Sequence, residues 1–230
     1  MQFSKGKDLF LYLIFKLNVP EKDKTGGKKM QKQVTKKEIK KEVSISPIAI
    51  GSAVFKIVGK TPLLIDKMPE KTLKQIEDKQ KGEVKSKKQL RDIDEEIANA
   101  KHTLPDGTIG FPSAGFKAGM IESTSFVGDR FFSKKKLKGM QILNAVNGLI
   151  PIKFKKEDVL VHNVGANTKH TPQFHEWSCE LEIAFDKNNI SITDIATLIN
   201  YAGFYYGIGI WSPRCKSGGN FGMYELAKTK

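Results

Sequence analysis

The stretch "WSCELEIAF" alternates without a break, with Trp177, Cys179, Leu181, Ile183 and Phe185 set against Ser178, Glu180 and Glu182. A period of two puts the apolar side chains on one face of an extended segment and the polar ones on the other, so this is a strand buried on one side. An earlier stretch, "SAVFKIVG", repeats the device, with Ala53, Phe55 and Ile57 opposed to Val54, Lys56 and Val58. "DGTIGFPSAGFKAGMIESTSF" reads as a turn and then a helix, with Pro112 in its first turn and Phe116, Met120, Ile121 and Thr124 along one face. Its small residues Ala114, Gly115, Ala118 and Gly119 would let it lie close to a sheet. "GLIPIKF" and "DVLVHNV" read as short strands, and "SITDIATLINYAGFYY" as a helix capped by Ser191 or Thr193. A glycine-rich loop and a last strand, "FGMYEL", complete the order. With its insertion set aside, this split β-α-β pattern predicts an α+β fold, a ferredoxin-like (RNA-recognition-motif-like) antiparallel sheet with helices on one face.

The sequence divides into a basic leader over 1–46 and a folded domain over 47–230. "EKDKTGGKKMQKQVTKKEIKKEV" is charged and without apolar periodicity, which predicts a flexible segment. The run "LFLYLIF" (Leu9 to Phe15) is too short to span a bilayer and lacks a small-residue cleavage site, so neither a membrane anchor nor export is expected. A helical insertion is expected at about 67–104, with Leu73 and Ile76 in its first helix and Leu90, Ile93 and Ile97 in its second. Both apolar stripes are thin, which suits a protruding element rather than core.

The formal charge of +14 draws the chain toward polyanions, nucleic acid before an anionic membrane. Cys179 and Cys215 make no disulfide framework and suit a reducing compartment. The basic block "DRFFSKKKLKGMQILNAVNGLIPIKFKK" holds Arg130, Lys134, Lys135, Lys136, Lys138, Lys153, Lys155 and Lys156 against one acid, Asp129. Phe131 and Phe132 lie among them, and cations with interleaved aromatics suit a single strand with unpaired bases. The loop "GIGIWSPRCKSGGNFG" adds Trp211, Arg214 and Lys216 among glycines, of which Gly218 and Gly219 would let backbone amides approach a phosphate.

Other motifs lead elsewhere. "GKT" at Gly59 to Thr61 is no phosphate loop, since Val54 stands where the first glycine belongs and Pro62 follows at once. His162, His170, His175 and Cys179 match no standard zinc spacing, so no metal and no cofactor is expected. Asp66 in "TPLLIDKMPE" could act as a base, but nothing beside it in sequence completes a catalytic pair.

The order of "TPLLIDKMPE", "GFPSAGFKAG" and "GIGIWSPRCKSGGNFGMYEL" resembles the RAMP superfamily, in particular the backbone subunits of class 1 CRISPR effector complexes and a stand-alone group encoded by phages and prophages. The resemblance runs from about Val54 to Leu226. It implies a ferredoxin-like core, a glycine-rich loop before the last strand, and a lysine in the turn entering the first helix, here Lys117. It further implies a protein of the cytoplasm, bacterial if phage-encoded, that binds single-stranded RNA, a guide and its target, and polymerises along it, with additional protein subunits as partners. Lys117, Arg130, Lys134, Lys135, Lys136, His170, Trp211, Arg214, Lys216, Gly218 and Gly219 form the expected RNA-binding set, with no catalytic residue. Cutting members of the family use an aspartate near the place of Asp66, but "LLIDKMP" lacks their small-residue loop. The competing readings are a phage single-stranded-DNA-binding or annealing protein and an endoribonuclease using Asp66 or His170.

Overall fold

The computed structural model describes residues 47–82, 91–128, 134–165, 167–216 and 218–228. The expected leader over 1–46, Leu90 of the insertion, and Arg130, Phe131 and Phe132 of the basic block lie outside them. In chain order the elements are β1 (Ile50–Gly59), β2 (Leu63–Leu64), α1 (Glu70–Gln80), α2 (Ile93–Asn99), β3 (His102–Thr103), β4 (Ile109–Pro112), α3 (Ser113–Val127) and α4 (Lys134–Leu137). Then come β5 (Gln141–Ile142), β6 (Leu149–Pro151), β7 (Lys156–Val164), β8 (Asn167–His175), β9 (Ser178–Asp186), α5 (Ile192–Tyr205) and β10 (Tyr224–Leu226).

The main sheet is antiparallel, in the order β10-β1-β9-β5. β1 and β9, the two alternating stretches, pair over nine residues from Ile50↔Asp186 to Val58↔Ser178. Taken with the two long helices, the path β1-α3-β5-β9-α5-β10 gives the ferredoxin-like strand order, fourth-first-third-second. Phe55, Ile57, Cys179, Leu181, Ile183 and Phe185 are buried in one core with Phe116, Met120, Ile195, Leu198 and Ile199 of α3 and α5. Each such side chain contributes roughly 1.5–3 kcal/mol by leaving water. Phe116→Ala, which opens a cavity under α3, would cost about 3–5 kcal/mol.

The opposite face of the sheet carries Ser52, Val54, Lys56, Glu180 and Glu182, with Val54 exposed and Lys56 3.9 Å from Glu180. These outward positions of β1 and β9 include no aromatic, so this face offers no ring for a base to stack on.

α5 starts at a reciprocal cap: the Ser191 side chain accepts from the Asp194 amide, and the Asp194 carboxylate accepts from the Ser191 amide. α3 has no side-chain cap, and its Ser113 amide donates instead to the Gly148 carbonyl at 2.8 Å. The small residues of α3 serve a different neighbour from the one expected. Gly119 faces α5, where an added Cβ would lie 3.5 Å from that of Ala202, while Ala114 and Ala118 are exposed. On α5, a Cβ at Gly203 would fall 1.9 Å from the Tyr224 carbonyl oxygen, so only glycine lets this helix settle on β10.

"GLIPIKF" and "DVLVHNV" form strands outside the main sheet, with which the first pairs through a single bridge from Lys153 to Ser178 of β9. β6 pairs with β4, and β7 pairs with β8 along its whole length in a hairpin that β2 extends into a sheet of order β2-β8-β7. β8 holds Pro172, yet loses no ladder bond to β7. Its carbonyl accepts from the Ile65 amide on the β2 side, so the missing N–H faces the edge where the short β2 has ended. α1 has no buried residue and leaves Leu73 and Ile76 exposed; α2 is capped by Asp92, which accepts from the Asp94 and Glu95 amides.

Candidate nucleic-acid interface

The glycine loop, residues 207–222, folds on itself around buried Ile208. Ile208 N–H donates to Gly222 O, Gly218 to Cys215 O, Gly219 to Ser212 O and Phe221 to Trp211 O. Two further amides tie the loop to the β2 edge: Ile210 donates to Leu64 O and Gly222 to Pro62 O. The amides of Gly218 and Gly219 therefore already have carbonyl acceptors within the chain. What the fold requires of these glycines is geometric: Gly218 has φ +59°, and a Cβ on Gly219 would sit 1.7 Å from the Trp211 carbonyl oxygen. The loop presents side chains, and Trp211, Arg214 and Lys216 are exposed on it.

Trp211 holds a left-handed backbone, φ 53°, that a tryptophan rarely adopts. Its ring packs edge-on against His162 of β7, with centroids 4.5 Å apart, and also against Phe221 at 6.1 Å. His162 Nε2 lies 3.0 Å from the Thr171 hydroxyl on β8. On the same face of the hairpin sheet the Lys169 ammonium donates to the Asp66 carboxylate, both partly buried. Lys169 is the cross-strand partner of His162 and shares its face, whereas His170, paired with Val161, points to the other face. The His170 Nδ1 is buried without a hydrogen-bond partner among the described residues. His162 as a contact of Trp211, with Lys169 and Thr171 sharing its face, is not readable from local sequence, because only the nine-residue β7–β8 register sets them together. Cys179 faces the main core, and His162, His170 and Cys179 do not converge.

The second group of cations gathers at α3. Lys117 Nζ donates to the Lys138 carbonyl at 3.0 Å, a surface bond that ties the α4 segment to α3. Leu137 is fully buried and anchors the turn, while Lys134, Lys135 and Lys136 are exposed. Lys134 donates to Glu122 Oε2 at 2.6 Å, and that hydrogen bond holds its ammonium above the usual lysine range. Lys135 and Lys136 have no carboxylate partner among the described residues.

Tyr206 joins the two groups. Its hydroxyl donates to the Glu122 carbonyl at 3.2 Å, and its own carbonyl accepts from the Arg214 amide. The loop thus connects, through Trp211, to the hairpin sheet and, through the Arg214 amide and Tyr206, to Glu122 of α3. Burial first, and the neighbouring Cys179 second, push the Tyr224 phenol above its ordinary range, against a smaller downward pull from Arg214. Burial first, and the neighbouring Glu180 second, push the Cys179 thiol up to about 12.

No family model matches the chain, and no curated protein sequence does. Among solved structures the chain is similar to Cmr6 from Pyrococcus furiosus, at 8% identity and a TM-score of 0.38, over 79% of this chain and 100% of that one. The strand order, not this likeness, assigns the ferredoxin-like fold. No helix among the described residues is long and apolar enough to cross a membrane.

Proposed function

We propose that this chain is a non-catalytic RAMP-type protein that binds single-stranded RNA and assembles in several copies along it. One observation carries the reading: the glycine loop exposes Trp211, Arg214 and Lys216 together, with Trp211 resting on the hairpin sheet and the Arg214 amide bound to Tyr206, whose hydroxyl reaches Glu122, the partner of Lys134. A flexible polyanion with unpaired bases fits such a path, with cations along its phosphates and an aromatic edge for a base. The charge of +14 supports the same partner. The side chains of Lys134, Lys135, Lys136, Arg214 and Lys216 would neutralise phosphate, and Lys117 would hold the lysine turn in place. The exposed α1 would meet a neighbouring copy or the nucleic acid. The arrangement around Asp66 supports a binding role, because its carboxylate is engaged by Lys169 and His170 lies on the opposite face. A cytoplasmic location and a guide RNA as ligand belong to the same reading.

The test is the nucleic acid that copurifies with the protein, digested separately with RNase and DNase. Loss of the bound strand to RNase alone is the expected result. Loss to DNase alone would replace RNA by single-stranded DNA, and absence of any bound or bindable strand would overturn the reading.

A further inference from the structure

The far ends of α3 and α5 expose an aromatic cluster that none of the groups above uses. Phe126 and Tyr205 stack at 4.0 Å with 2° between their planes, and Tyr201 continues the column at 5.9 Å and 29°. Phe204 meets Tyr205 edge-on at 5.0 Å. Phe204 is 62% exposed, Phe126 48% and Tyr205 40%, so three large rings face water together where helix surfaces are ordinarily polar. Periodicity explains Leu198, Ile199 and Ala202 on the buried side of α5; it does not explain Phe204 and Tyr205 on the other.

Cations border these rings on two sides. Glu122, one turn before Phe126 on α3, holds Lys134, and the Tyr206 ring lies 6.0 Å from Phe126 while its carbonyl accepts from the Arg214 amide. Past Phe204, an open groove of about 740 Å³ between α5 and β10 is lined by Lys228 and by Lys60, which is paired with Glu225 of the same groove at 2.8 Å. Exposed rings among lysines suit a partner that carries flat apolar faces on an anionic backbone, which describes a single nucleic-acid strand. The competing partner is a second copy's open sheet face, which sets Glu180 and Glu182 beside exposed Ile50 and Val54, and the number of copies on a long strand separates the two.

We infer that Phe126, Tyr201, Phe204 and Tyr205 form a base-stacking platform, so that the bound strand crosses the helical face of the domain, where the rings are, rather than the open face of the sheet. This rests on the single-strand reading proposed above and adds where the bases go.

The experiment compares two ligands of equal length and charge: a 12-nucleotide oligouridylate and the same phosphodiester backbone without bases. Each is titrated against wild type, the Phe204→Ala/Tyr205→Ala double variant and Phe204→Trp. The double variant should lose at least about fivefold in affinity for the base-bearing strand, with less than twofold change on the abasic one. Phe204→Trp should bind the oligouridylate at least as well as wild type. Equal losses on both ligands, or no loss on either, would overturn the platform. Unchanged affinity for the short strand with fewer copies bound on a long one would overturn it too, assigning the rings to a contact between copies. Should the double variant melt early, Phe204→Ala alone, at the most exposed ring, carries the test. A wild type that binds neither ligand overturns the RNA reading and the platform with it; a wild type that binds both, with all variants unchanged, overturns the platform alone.

Discussion

Alanine at Gly219 and alanine at Gly218 should behave very differently, although the two glycines stand side by side. At Gly219 the new Cβ would fall 1.7 Å from the Trp211 carbonyl oxygen and 2.3 Å from its carbon, both backbone atoms that cannot swing aside. The loop must open, which breaks Gly219 N–H to Ser212 O and Phe221 N–H to Trp211 O. Two hydrogen bonds at about 1 kcal/mol each, with the packing lost around them, give roughly 3 kcal/mol or more. At Gly218 nothing lies within 4 Å, and the cost is that of a left-handed backbone alone, φ +59°, about 1–2 kcal/mol. For a domain of this size each kcal/mol moves Tm by about 2–4 °C. Gly219→Ala should therefore melt roughly 6–12 °C below wild type, and further below it than Gly218→Ala, in thermal scans followed by circular dichroism. The Gly218 amide donates to Cys215 O in the folded chain, so Gly218→Ala should still bind single-stranded RNA within about twofold of wild type. Equal melting drops would refute the packing argument. Loss of RNA binding by Gly218→Ala at unchanged Tm would show that these amides meet phosphate after all.

Three further outcomes follow from the same geometry. Cys179 is buried with its thiol pushed up to about 12, whereas Cys215 is partly exposed, so iodoacetamide at neutral pH should label Cys215 first and reach Cys179 only on unfolding, as mass spectrometry of peptides would show. Burial, and Lys67 beside it, hold His102 below the ordinary value of 6.5, so the unfolded ring binds a proton that the folded one refuses. That part of the stability is complete above about pH 6.5 and is lost as pH falls below it, and Tm should drop less between pH 7.5 and pH 5 in His102→Gln than in wild type. If copies assemble along a strand, native mass measurement on RNAs of increasing length should show stepwise addition of the chain, and one copy at every length would refute assembly.

The main sheet was legible because β1 and β9 are long enough for a period of two to declare itself, and α5 because Ser191 stands directly before its apolar stripe. β2, β3 and β5 have two residues each, too few to show any period; they exist because longer partners hold them. β8, "NTKHTPQFH", is polar, does not alternate and contains proline, so only its pairing with β7 makes it a strand. The candidate site divides in the same way. The basic run and the glycine loop stand out as local composition, and the exposure of Lys134–Lys136, Trp211 and Arg214 agrees with it. That Trp211 rests on His162, and that Lys117 bonds to Lys138 O, depends on contacts between distant segments that no local pattern encodes. The glycines admit two readings for a physical reason: a loop packed against its own backbone and a loop open to phosphate both require residues without a Cβ.

The claim that the loop and the lysine turn together hold a single strand by its phosphates is tested most directly by salt. Affinity for one single-stranded RNA is measured across a salt series, for wild type and for the variant carrying Lys135→Ala, Lys136→Ala, Arg214→Ala and Lys216→Ala, with a duplex of equal length as control. Log affinity should fall linearly with log salt, the duplex should bind more weakly, and the variant's slope should be shallower by about 0.7 for each phosphate contact removed. A variant with the wild-type slope, or a duplex bound as tightly as the single strand, would contradict the account.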